Sequence, residues 1–135
     1  MKINIFLKQL FFKVPLVFIV LFFSTLANSA EIKVGSIFDL TGGLNIYGIH
    51  QNRALQLAVE DINAKGGILG SQIEVIEKDS QSELAKFTQY TNALILGDKI
   101  DVLFAGLTSS SREAMRPLVR SKKIPYFYSA LYEGG

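Results

Sequence analysis

"IDVLFAGLTSSSREAM", Ile100 to Met115, decides the fold. It opens on an apolar run of strand length, turns at a glycine, passes a threonine and three serines in a row, and continues at helical spacing. A strand that runs through a short hydroxyl-rich loop into a helix is half of a β-α-β unit. The fold class depends on whether the flanking sequence repeats it.

It does, on both sides. "EIKVGSIF" (31–38) is a short apolar run ending at a turn signal, and "ALQLAVEDINA" (54–64) places Leu55, Ala58, Val59 and Ile62 at helical spacing. That helix closes at Gly66-Gly67. "SQIEVIEKD" (71–79) reads as a second strand, and "SELAKFTQYTNALIL" (82–96) as a second helix burying Leu84, Phe87, Thr91 and Leu94. A third helix is expected from Ser110 to about Arg120, and "IPYFYS" (124–129) as a fourth strand. Alternation of this kind predicts an α/β domain, a parallel sheet with helices on both faces. Ligands of such sheets bind outside the carboxyl ends of the strands, where the strand order reverses. Three segments leave those ends: "DLTGGLNIYG" (39–48), "GLTSSS" (106–111) and "SALYEGG" (129–135).

The first thirty residues stand apart. Lys2, Lys8 and Lys13 precede the apolar core "VPLVFIVLFF" (14–23), and "LANSA" (26–30) supplies small residues for processing, the pattern of a cleavable signal peptide. Their removal corrects the charge. The whole chain has formal charge +2, but residues 31–135 carry 11 basic against 12 acidic side chains. The remaining cations are scattered, so no nucleic-acid partner is expected. The chain has no cysteine and a single histidine, His50, which excludes a disulfide framework, a Cys-ligated zinc and a His-rich metal site. No cofactor is expected.

The serine row admits three readings. Ser110 and Glu113 have the S-x-x-E spacing of a capping box, as do Ser80 and Glu83, so Ser110 is assigned as the helix cap. Thr108 and Ser109 precede it, beside the positive end of the helix dipole, where they could hold a polar or anionic solute or merely be solvated. A nucleophile has least support: there is no G-x-S-x-G elbow and no base besides His50. "TGGLNIYG" (41–48) matches neither dinucleotide nor P-loop spacing. Asp39 and Asp79, which end strands, are expected to fix loops or helix starts.

Four pieces carry a resemblance: "IYG" (46–48), "AVEDINAKGGILGSQIEVI" (58–76), "TSSSREA" (108–114) and "YEG" (132–134). They resemble the type I periplasmic binding proteins of ABC transporters, in the branch handling branched-chain amino acids, amides and urea; "INAKGGILG" is the most specific piece. The resemblance implies two hinged α/β lobes that close over a small polar solute and deliver it to an inner-membrane permease. It implies binding without catalysis, in the periplasm. Position by position, Ser109 resembles the hydroxyl contact to the ligand's carboxylate or amide, supported by Thr108, and Tyr47 the aromatic that packs on the ligand. Tyr128 and Ala130 stand where amide-binding members place a tyrosine and a hydroxyl, so Ala130 is a departure. Tyr132 and Glu133, within "YEG", lean toward the amide and urea side.

On this reading residues 31–135 are an incomplete N-terminal lobe, the first part of lobe 1 only, and the chain is expected to be a truncated form. Two alternatives stand beside it: a ligand-sensing receptor ectodomain, and a small exported hydrolase acting through Ser109.

Overall fold

The computed structural model describes residues 31–133. The expected signal peptide therefore lies outside the described residues. Strand β1 (Ile32–Phe38) leads to helix α1 (Asn45–Ala64), β2 (Ile73–Asp79), α2 (Leu84–Asn92), a π-helical turn (Ala93–Asp98), β3 (Val102–Ala105), α3 (Ser109–Lys122) and β4 (Tyr126–Phe127). The strands form one parallel sheet in the order β2-β1-β3-β4.

β1 is central, and from Val34 onward every residue of it is buried. That accounts for its continuous apolar run: a strand covered on both faces has no solvent side to alternate with. One face packs under α1, where Val34, Val59 and Ile73 are joined by the partly buried Leu55, Ile62 and Phe104. The other lies under α2 and α3, where Ile37, Phe87, Leu94, Leu103, Met115 and Val119 form the larger cluster. Each large side chain buried there contributes about 1.5–3 kcal/mol.

Some expectations about the helices are corrected. Ala58 is exposed on α1, so the buried stripe runs through Leu55, Val59 and Ile62. Leu84 is half exposed at the start of α2, whereas Phe87, Thr91 and Leu94 are buried. α3 begins one residue earlier and ends two later than expected, and β4 is only two residues long.

The end of α1 is built by its sequence. Asn63 mimics a strand partner: its Nδ2 donates to the Ile73 carbonyl at 2.9 Å and its Oδ1 accepts from the Ile73 N–H at 2.8 Å. Gly67 makes the return possible. It sits at φ +77°, and a Cβ there would stand 2.0 Å from the Ser71 carbonyl oxygen. No residue with a side chain fits that approach.

Candidate functional site

β1 is flanked by β2 on one side and β3 on the other, so the chain leaves the carboxyl ends of β1 and β3 in opposite directions. This opens a crevice at the switch point. A cleft of about 640 Å³ lies there, lined by Leu44 and Tyr47 before and on α1, Leu107 and Thr108 between β3 and α3, Ser109 and Ser110 in the first turn of α3, and Ala130, Leu131 and Glu133 after β4. A neighbouring hollow of about 450 Å³ shares Tyr47, Leu107, Ala130 and Leu131 and adds His50 and Gln51. Thr108, Ser109, Tyr47, Ala130 and Glu133, five of the residues singled out in the sequence, thus come together. Tyr128 and Tyr132 do not line it.

The hydroxyl row resolves position by position. Thr108, not Ser110, caps α3: it is extended (φ −93°, ψ 153°), and its Oγ1 accepts from the Ser111 N–H at 3.2 Å. Ser109 is already helical, which puts Ser110 two residues past the cap. The capping box at Ser80 and Glu83 also fails to form. The Ser80 hydroxyl donates instead to buried Asp39, at 2.8 Å, and no side chain caps α2. With Ser111 satisfied, the Ser109 and Ser110 amides occupy the first turn of α3, where a helix has no internal acceptors and a positive dipole end. The Ser109 Oγ faces the cleft's outer wall and accepts from the Glu133 N–H at 3.2 Å.

Tyr128 supports the cleft from beneath. Its hydroxyl lies 2.7 Å from the Leu107 carbonyl and 2.9 Å from that of Leu131, tying the two loops together. Burial raises its pKa above that of a free phenol, with Arg112 opposing. Tyr126 is anchored in the same way, its hydroxyl donating to the Ala105 carbonyl at 3.2 Å.

Tyr132 turns away from the cleft to two residues that sequence reasoning missed as part of the site. Its hydroxyl donates to Glu113 Oε1 at 2.9 Å, and the Arg112 guanidinium lies 4.1 Å from its ring centroid. Arg112 also pairs with Glu113 at 2.6 Å, and Arg116 does so at 2.8 Å. The Tyr132 hydroxyl first, then the two arginines, hold the Glu113 carboxyl below its ordinary range against a desolvation that opposes them. The only sequence signal was the S-x-x-E spacing, which assigned Glu113 to a different task.

Opposite, the loop that delivers Tyr47 is fixed by Asp79. Its carboxylate accepts from the Leu40, Thr41 and Gln81 amides at 2.9–3.1 Å and from the Thr41 hydroxyl at 2.6 Å. The loop-fixing expectation for Asp39 and Asp79 is borne out. Among the described residues no cluster of three or more His, Asp or Glu could hold a metal, and no helix is long and apolar enough to cross a membrane.

Comparison with known proteins gives a consistent picture. The periplasmic binding protein family profile matches residues 31–135. A Leu/Ile/Val-binding protein homolog 7 of Brucella abortus is 31% identical over 99 residues, 73% of this chain and 25% of that protein. Among solved structures, the branched-chain amino acid transporter substrate-binding protein LivJ of Streptococcus pneumoniae, in complex with isoleucine, superposes with a TM-score of 0.75 at 36% identity, covering 78% of this chain and 30% of that one. A solute-binding protein of an ABC transporter from Rhodopseudomonas palustris, in complex with 3,4-dihydroxybenzoic acid, superposes with a TM-score of 0.65 at 28% identity over 71% and 26% of the two chains. The chain spans about a quarter of the length of the curated relatives it matches.

Proposed function

The chain belongs to the periplasmic binding protein family, and from that premise we propose that residues 31–133 carry one wall of a solute-binding cleft serving an ABC transporter. The solute is a small carboxylate with an apolar body, a branched-chain amino acid above all. The carrying observation is the composition of the cleft: Thr108 and the first turn of α3 with Ser109 and Ser110, the apolar Leu44, Tyr47, Leu107, Ala130 and Leu131, and one acid, Glu133, whose charge suits the ammonium group of an amino acid. A helix start with free amides and a hydroxyl suits a carboxylate. The apolar remainder suits a hydrocarbon side chain better than urea, which would leave that surface uncovered. Isoleucine and 3,4-dihydroxybenzoic acid, the ligands named with two similar structures, share a carboxyl group and little else.

The mechanism is binding without bond-making. A carboxylate entering the cleft gives up water and must regain hydrogen bonds, so Ser109 discriminates by what would be left unpaired with the wrong ligand. A second lobe closing over this wall would complete the site, because a ligand that contacts both walls binds the closed arrangement better. Export by a leader within residues 1–30, a periplasmic location and delivery to an inner-membrane permease belong to the same proposal.

Calorimetry of the chain with L-isoleucine, L-leucine and L-valine, and with acetamide and urea beside them, tests it. Amino-acid binding that weakens about tenfold to a hundredfold in Ser109→Ala is expected, since a hydrogen bond to a charged group is worth about 1.5–3 kcal/mol. Binding of acetamide or urea with none of the amino acids would overturn the carboxylate assignment in favour of an amide.

A further inference from the structure

The cleft's outer wall, Ala130 to Glu133, belongs to no helix or strand. Leu131 is 91% exposed and contributes no core packing. A stretch of this kind stays in place only if side chains hold it. Its fastenings are the two hydrogen bonds around Ser109 and Tyr128 and the group at Tyr132. That group is compact: the Glu113 carboxylate receives the Tyr132 hydroxyl on one oxygen together with Arg112, and Arg116 on the other. Arg112 closes the arrangement by covering the Tyr132 ring at 4.1 Å, and Tyr132 stands edge to face with Tyr128 at 6.5 Å and 83°. None of Arg112, Glu113 and Tyr132 lines the cleft.

We propose that Arg112 and Glu113 are positioning residues: they clamp Tyr132, hold Ala130–Glu133 as a fixed wall of the cleft, and so let the Glu133 amide orient the Ser109 hydroxyl. A hydroxyl has one proton and two lone pairs. With the Glu133 N–H on one lone pair, the Ser109 hydroxyl keeps its proton to donate, and an acceptor such as a carboxylate entering the cleft would compete for it with the neighbouring Tyr128 oxygen. The effect on a ligand rests on the function proposed above; the clamp itself does not.

The test is therefore made first without ligand. Backbone 15N relaxation of the whole chain would report order parameters for Leu131, Tyr132 and Glu133, with Ile37 and Leu103 as internal references for the core. The clamp predicts values near the rigid-backbone level of about 0.85 in the parent and below about 0.6 in Glu113→Gln, with the references unchanged. Tyr132 supplies a second reading that a merely structural role would not move. The Glu113 carboxylate raises its phenol pKa above 10.0 in the parent, and in Glu113→Gln its ring resonance should titrate lower. Should the references also loosen in Glu113→Gln, Tyr132→Ala decides, because that side chain is 40% exposed and outside the core. A wall mobile in the parent, or equally rigid in parent and variants, overturns the proposal. L-Isoleucine then separates the two claims. A parent chain that does not bind it counts against the proposed solute while the relaxation result stands; a parent that binds it should lose about tenfold or more in affinity in Glu113→Gln.

Discussion

Gly48 lies directly against the backbone of Asp39: a Cβ on the glycine would stand 2.2 Å from the Asp39 carbonyl oxygen and 2.6 Å from its carbon. The first turns of α1 therefore ride on the end of β1, and this contact brings Tyr47, the preceding residue, to the rim of the cleft. Gly48→Ala has no flexible side chain to push aside and must displace helix or strand. It should destabilise the fold by about 1–3 kcal/mol, as overpacking does. Urea unfolding would measure that loss, and an unchanged midpoint would mean that α1 can shift outward freely.

The caps give a sharper discrimination. Thr108 Oγ1 satisfies the Ser111 amide, whereas the Ser110 hydroxyl is exposed and bonds only with Thr108. Thr108→Ala should cost about 1 kcal/mol, the usual worth of such a cap. Ser110→Ala should stay within about 0.5 kcal/mol, as exposed substitutions do. Reversal of that order in thermal melts would restore Ser110 as the cap.

The sequence made the architecture legible because each element declares its own period. The buried strand β1 is a continuous apolar run, and α1 carries Leu55, Val59 and Ile62 at i, i+4 and i+7. Local competition was less legible. Two S-x-x-E spacings suggested capping boxes, yet the loop geometry set by Asp39 at one and Thr108 at the other diverted both. The π-helical turn at Ala93–Asp98 left no periodic trace either, since a single widened turn merely brings Leu94 and Ile95 toward the same cluster. The clamp on Tyr132 was beyond local reading. Glu113 and Tyr132 are nineteen residues apart and meet only because β4 pairs beside β3, with Leu103 opposite Tyr126.

The helix α2 offers a direct test of its buried face. Phe87 is 3% exposed and belongs to the larger core cluster, while Leu84, one turn earlier, is 51% exposed. Phe87→Ala should cost about 3–5 kcal/mol by lost transfer energy and a residual cavity. Leu84→Ala should change stability by about 0.5 kcal/mol or less. Similar losses for both in urea unfolding would place Leu84 in the core after all.

Asp79 makes acid stability a readout of the loop that carries Tyr47. Burial pushes its carboxyl pKa up, but the Thr41 hydroxyl and the Gln81, Thr41 and Leu40 amides together hold it below 3.8. A carboxyl whose folded pKa is depressed contributes stability that is fully present above its unfolded pKa and is lost as the pH falls through the folded one. The loss attributable to Asp79 therefore belongs below about pH 4. Asp79→Asn keeps an acceptor for the amides but gives up the charge, so it should cost about 1 kcal/mol at pH 7, the difference between hydrogen bonds to charged and to neutral groups. The Glu113 carboxyl is likewise held below its ordinary range, so the informative quantity is the gap between parent and variant. Measured by urea unfolding at pH 7, 4 and 3, that gap should narrow as the pH falls. A gap that stayed constant to pH 3 would show that the Asp79 carboxylate is not what fastens the 39–44 loop.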